Sequence, residues 1–176
     1  MVRLTEGPYG EGPRRIMDEA EGAQVTFRLE RGVTGFRDRG DPPVPSTDPR
    51  ACRAAWHAAA RAAGGQVEDF AEQEYPQSFH SATISGSDGT HLALFHAHHP
   101  LVAFVEGRRY WYTEGFQDPP AWAAVLGDLG FVVLSAARLR SPLEESDTSA
   151  LSAEEWRQIR HWRPETLGAT LFNPWD

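Results

Sequence analysis

The sequence predicts an α+β fold: a mainly antiparallel sheet around a central four-strand meander, with helices packed against it and two short C-terminal helices closing one side. Three observations predict this. Strand-like runs at Phe79–Ser85 and Thr90–His98 flank Gly86-Ser87-Asp88-Gly89, a tight hairpin turn. Two more runs, Leu101–Val105 and Arg108–Thr113, flank Glu106-Gly107. Helix-start signals lie outside this block, at Asp48-Pro49, Asp118-Pro119-Pro120 and Ser152.

The elements follow in order. Residues 1–22 are rich in glycine, proline and charge without periodicity and read as an irregular arm; residues 23–176 read as one α+β domain. Val25, Phe27 and Leu29 alternate with polar residues as in a half-buried strand, and Arg31-Gly32 turns it back through Val33–Arg37. Pro42, Pro43 and Pro45 keep residues 38–46 a loop. Asp48 is a good N-cap and Pro49 suits the first helical position, so a helix runs to about Ala63 and stops at Gly64-Gly65. Its apolar stripe is Cys52, Trp56, Ala59 and Ala63. Arg50, Arg53, His57 and Arg61 form a second stripe, read as a solvated face before an anion-binding one.

After the meander, the helix opened by Asp118 buries Trp122, Val125, Leu126 and Leu129 and ends at Gly130. Phe131–Leu134 reads as a buried strand and Ser141–Ala150 as an acidic loop. Ser152 and Glu155 form a capping box, with Leu151 and Trp156 at the hydrophobic-staple positions. A last helix runs from Pro164 to Leu171 or Phe172, and Phe172 and Trp175 dock the tail on the body. The stretch from Trp162 to Gly168 and on through Phe172-Asn173-Pro174-Trp175-Asp176 has the density of a signature, without a function attached to it.

Composition narrows the function classes. The 176 residues are 40% hydrophobic and carry a formal charge of −8, with 17 basic residues that are all arginine. That balance disfavours nucleic acid and anionic membranes as partners and suits a protein with a basic surface. Cys52 is the only cysteine, which leaves no intrachain disulfide and no cysteine-rich zinc site. Inside a helix beside alanines it reads as a small hydrophobe rather than a nucleophile. No secretory signal or membrane-length apolar run is evident, so the expected location is cytoplasmic. Without lysine there is no phosphate-binding Gly-Lys-Ser/Thr loop, and Gly86-Ser87-Asp88-Gly89 is a hairpin turn rather than a nucleophile elbow.

The candidate chemistry is histidine. Five of the seven histidines fall between His80 and His99, including the run His96-Ala97-His98-His99. Strand alternation puts Leu92, Leu94, His96 and His98 on one face. It puts His91, Ala93, Phe95, Ala97 and His99 on the other, with His80, Ala82 and Ile84. A His-x-His pair can supply two ligands to a divalent, zinc-like ion, with a third from Glu72, Glu74 or Glu114. The bland reading is a polar strand end hydrogen-bonded to backbone or water, and it is favoured, so no cofactor is expected.

A second constellation points to protein contact. Arg108, Tyr110 and Tyr112 face one way on their strand, and Arg109 and Trp111 the other. Arginine and aromatics favour interface anchors, although they also favour strands. Glu72 and Glu74, with Glu144 and Glu145, would steer a basic partner. The expectation is therefore a small acidic binding protein, of inhibitor or immunity type or an accessory subunit. The alternative is a histidine- or metal-dependent enzyme, or a small-ligand binder, around His96 and His98.

Overall fold

The computed structural model describes residues 25–107 and 115–176. The arm at 1–22 and the strand expected at Arg108–Thr113 lie outside the described residues. Within them the chain is α+β. The antiparallel sheet has strands β1 (Gln66–Ala71), β2 (Phe79–Gly86), β3 (Gly89–His96), β4 (Leu101–Val105) and β5 (Phe116–Gln117), adjacent in that order. A short strand β6 (Val132–Val133) pairs parallel with the first part of β4. Helices α1 (Pro49–Ala62) and α2 (Ala124–Asp128) cover one face. Helices α3 (Ala136–Arg140), α4 (Ala153–Trp162) and α5 (Leu167–Leu171) cover the other.

Local chemistry explains much of this. Asp48 caps α1 through its carboxylate, which accepts from the Arg50 amide at 2.9 Å, and Pro49 occupies the first turn. Gly86 pairs with Gly89 across the two-residue loop Ser87-Asp88, and Gly89 has a positive φ of 116° that other residues resist. The capping box of α4 forms as expected from Ser152 and Glu155. Leu151 is buried and Trp156 half-buried, both in the same cluster.

Alternation along β3 sends its side chains into two cores. Leu92 and Leu94 join Leu101, Ala103 and Val105 of β4 beneath α3–α5, and Leu29, Phe172 and Trp175 complete that layer. Ala93 and Phe95 join Val102 and Phe104 beneath α1, where Trp56 is fully buried. The C-terminal tail is docked as expected, with Phe172 and Trp175 buried.

Several expectations need correction. Val25–Leu29 is not a strand: Arg28 makes one parallel bridge to Asp147, and Val25 is 78% exposed. Residues 31–35 wind into turns, because Gly32 and Gly35 both hold positive φ, near 85° and 83°. β3 ends at His96 rather than His98. Leu129 is half exposed, since α2 stops after five residues and Leu129 is only its cap. Val132 is half exposed because β6 sits at the periphery of the sheet. The last helix starts at Leu167, capped by Thr166, and not at Pro164.

Three named elements escaped the sequence reading, one of them the two-residue strand β5, too short to show a period. Helix α3 is short and capped by Ser135. β1 lacks clean alternation because a bulge shifts the register between Val67 and Asp69. Val67 and Phe70, three apart, therefore both pack on the α1 side. Among the described residues no helix is long and apolar enough to cross a membrane.

One glycine is fixed by close approach. A Cβ at Gly168 of α5 would collide with the fully buried Phe116 ring and lie 2.9 Å from the Leu139 carbonyl oxygen. Gly168→Ala should lower stability by about 1–3 kcal/mol through overpacking, read as a lower urea midpoint. An unchanged midpoint would mean that Phe116 yields at no cost.

Candidate functional site

The histidine run lies where β3 ends, and each of its imidazoles meets a backbone carbonyl of the 31–45 segment. His96 Nε2 is 2.7 Å from the Val33 oxygen, His98 Nδ1 is 2.8 Å from Pro45, and His99 Nε2 is 3.0 Å from Arg31. A carbonyl can only accept, so the proton belongs on each of those nitrogens. His96 Nδ1 in turn accepts from the amides of His98 and His99, both at 3.0 Å. These amides turn in on the ring instead of continuing the ladder, which is why the strand stops there.

His96 is thereby fixed as a neutral imidazole with both nitrogens in use. It is fully buried, with its ring edge-on to Phe172. Burial pushes its pKa down to about 3; nearby His98 and His99 add to that, while the Val33 and Leu171 backbone interactions oppose it. Burial also lowers the pKa of His98, against the Pro45 carbonyl.

The same turn is held from its amide side. Glu155 Oε1 accepts from Gly32 N at 2.9 Å, Thr34 N at 3.2 Å and Thr34 Oγ1 at 3.0 Å. Its Oε2 accepts from Ser152 N at 3.0 Å, closing the capping box. The carboxylate is completely buried. The turn at 31–35 is thus clamped between imidazoles on its carbonyls and a carboxylate on its amides.

The C-terminal signature completes the clamp. Asn173 Nδ2 donates to Thr170 O at 2.9 Å and Thr34 O at 3.3 Å. Ser78 Oγ donates to Leu171 O at 2.8 Å and accepts from Asn173 N at 2.9 Å. The residues whose density stood out in the sequence thus have a structural occupation.

The remaining histidines belong to the α1 face. His80 Nδ1 accepts from Gln73 N at 2.8 Å, which puts the proton on Nε2. That Nε2 is buried without a hydrogen-bond partner among the described residues, beside the stacked Phe70 ring. Burial lowers the His80 pKa, against the pull of Glu72. His91 lies 3.0 Å from the Asp88 carboxylate and edge-on to Trp122. Five histidines clustered in sequence are therefore divided between the two sides of the sheet.

This geometry bears on the metal expectation. A divalent ion on His96 would have to displace two amides from Nδ1 or the Val33 carbonyl from Nε2. β3 ends at His96, so strand alternation does not place His98 and His99: both rings lie against His96, with centroids 5.7 and 5.8 Å away, and His99 is not on the opposite face as expected. Glu74 is exposed in the turn at 74–77 while His96 is buried, and Glu72 pairs with Arg53 at 3.2 Å. Among the described residues no group of three His, Cys, Asp or Glu is placed to hold a metal ion. Glu114 lies outside the described residues.

Other candidates separate in the same way. Cys52 is buried, and burial, with Asp48 adding, pushes its thiol up to about 11, so it is protonated at neutral pH. Arg108, Tyr110, Trp111 and Tyr112 lie outside the described residues. Glu72, Glu74, Glu144 and Glu145 are all exposed.

One cleft of about 460 Å³ opens on the α3–α5 side. Its walls are Pro142, Leu143 and Glu144, then Ser146 and Thr148, Trp156 of α4, and Pro164-Glu165. Comparison with protein-family models, curated proteins and solved structures finds no match to this chain.

Sequence reasoning missed Glu155, Thr34, Asn173 and Ser78 as partners of the histidine site. The capping box marked Glu155, but a capping box needs only one of its oxygens; the other was free to reach a distant turn. Asn173 stood within the C-terminal signature but with no partner to read from it, and Thr34 and Ser78 carried no local signal.

Proposed function

We propose that this chain works by contact with another protein that presents a basic surface, as an inhibitor, an immunity-type protein or an accessory subunit, without catalysis of its own. The observation that supports this is the acidic edge of the sheet. β1 is the terminal strand, and Glu68, Asp69, Glu72 and Glu74 stand exposed along it and the segment that follows. The bulge and the carboxylates guard this edge against pairing with another sheet. They leave it attractive to a cationic surface, in keeping with the formal charge of −8.

Steering of this kind acts on the association rate and is screened over about 8 Å at physiological salt. The double variant Glu72→Arg/Glu74→Arg should fold normally, because both side chains are exposed and the Arg53 pair contributes about 1 kcal/mol at most. Wild-type chain should retain a basic protein from the source cell and release it as salt rises. The variant should associate with that protein about tenfold more slowly at low salt, with a flatter salt dependence. Equal association rates, or turnover of a small molecule by the purified chain, would sink the reading. Turnover would direct attention to the alternative centred on His96 and His98.

A further inference from the structure

We infer that the cleft beside Trp156 receives an arginine side chain of that basic partner. The inference rests on the protein-contact reading and gives it a docking point. The cleft is built by a crossing of backbone. Pro142 and Thr166 bridge antiparallel, Leu143 N donates to Glu165 O at 3.1 Å, and Leu167 N donates to Ser141 O at 2.9 Å. This crossing brings Glu144 and Glu165 into the lining of one cleft, and both are exposed. Pro142 and Pro164 supply stiff apolar walls. Trp156, in the first turns of α4, is held there by the capping box beneath it.

The lining is one-sided in charge. Among the described residues it contains two carboxylates and two hydroxyls, of Ser146 and Thr148, and no cation. Among the described residues neither Glu144 nor Glu165 makes an ion pair. Arg157, the basic residue next to Trp156 in sequence, is spent on Glu154 at 2.6 Å. An apolar occupant would strip water from the two carboxylates and return nothing. A guanidinium answers every feature at once: it is planar and stacks on indole, its N–H fork meets carboxylates two at a time, and it needs only acceptors. A lysine ammonium has neither the plane nor the fork.

The test uses the full chain and a defined probe. Acetyl-Gly-Arg-Gly-amide is titrated into labelled protein while the Trp156 indole N–H is followed by NMR, with Trp156→Phe used only to assign the signal. The citrulline and lysine counterparts serve as controls. The expected result is a saturable shift with the arginine peptide and little with either control. Glu144→Gln/Glu165→Gln should melt as wild type does and bind the arginine peptide about fivefold more weakly, the loss of two exposed charge contacts. No saturable shift, an equal response to citrulline or lysine, or undiminished binding by the double variant overturns the inference. The two proposals fail separately. A basic partner that binds while the peptide does not removes only the cleft; a peptide that binds where no basic partner exists removes only the contact reading.

Discussion

Lowering the pH from 7 to 5 should cost this protein about 2 kcal/mol of stability through His96 alone, and the loss by pH 3 should reach about 4 kcal/mol. The sign follows from the site. The folded-state pKa of His96 is depressed from 6.5 to about 3. The unfolded chain therefore binds a proton in that window and the folded chain does not. Stability is fully present above 6.5 and drains as pH falls towards 3. The main cause is burial of the ring, and geometry adds to it, because a second proton must go on Nδ1, where the His98 and His99 amides already point at 3.0 Å. His80 and His98 are shifted in the same direction and add to the slope. Urea titrations between pH 7 and 5 measure the effect before most carboxylates protonate. His96→Asn keeps an acceptor near Nδ1 but cannot charge, so it should be less stable at pH 7 and lose much of the slope. A variant slope equal to wild type would show that His96 is not the group responsible.

Glu155→Ala should cost about 3–5 kcal/mol, because it leaves four donors behind: the amides of Gly32, Thr34 and Ser152 and the Thr34 hydroxyl. The turn at 31–35 should lose amide protection in hydrogen exchange before β2 and β3 do. Glu155→Gln separates charge from shape. Its amide oxygen can keep three of the contacts, but its NH2 then faces the Ser152 amide, donor against donor. It should cost about 1–3 kcal/mol. A loss below about 1 kcal/mol for Glu155→Ala would mean that water replaces the carboxylate and that the clamp is incidental.

The two effects share one structural idea. The polar groups that looked most suited to chemistry are employed in holding a turn with no regular structure of its own. Residues 31–35 have glycine-driven dihedrals and no strand neighbours, so their buried amides and carbonyls need side-chain partners. His96, His99 and Glu155 provide them. His96, His98 and His99 each meet a backbone carbonyl of the 31–45 segment, so the run braces the fold at this point.

The amino-acid sequence by itself determined whatever is encoded within a few residues. Asp48 with Pro49, Gly86 through Gly89, and Ser152 with Glu155 each place donors, acceptors or a positive φ next to the backbone they serve, so α1, the β2–β3 hairpin and the start of α4 were legible. The register of that hairpin was legible too, since a two-residue loop and strict alternation fix which side chains share a face. Tertiary structure alone decided the rest. β1 was hidden because its bulge breaks the period at Glu68, and only pairing with β2 makes it a strand. The fate of His96 turned on Val33, 63 residues away, and that of Glu155 on Gly32 and Thr34, more than 120 residues away. An imidazole or carboxylate shows its chemistry in sequence but not its partner. Whether it titrates, ligates or braces depends on which backbone groups the folded chain brings within hydrogen-bonding distance.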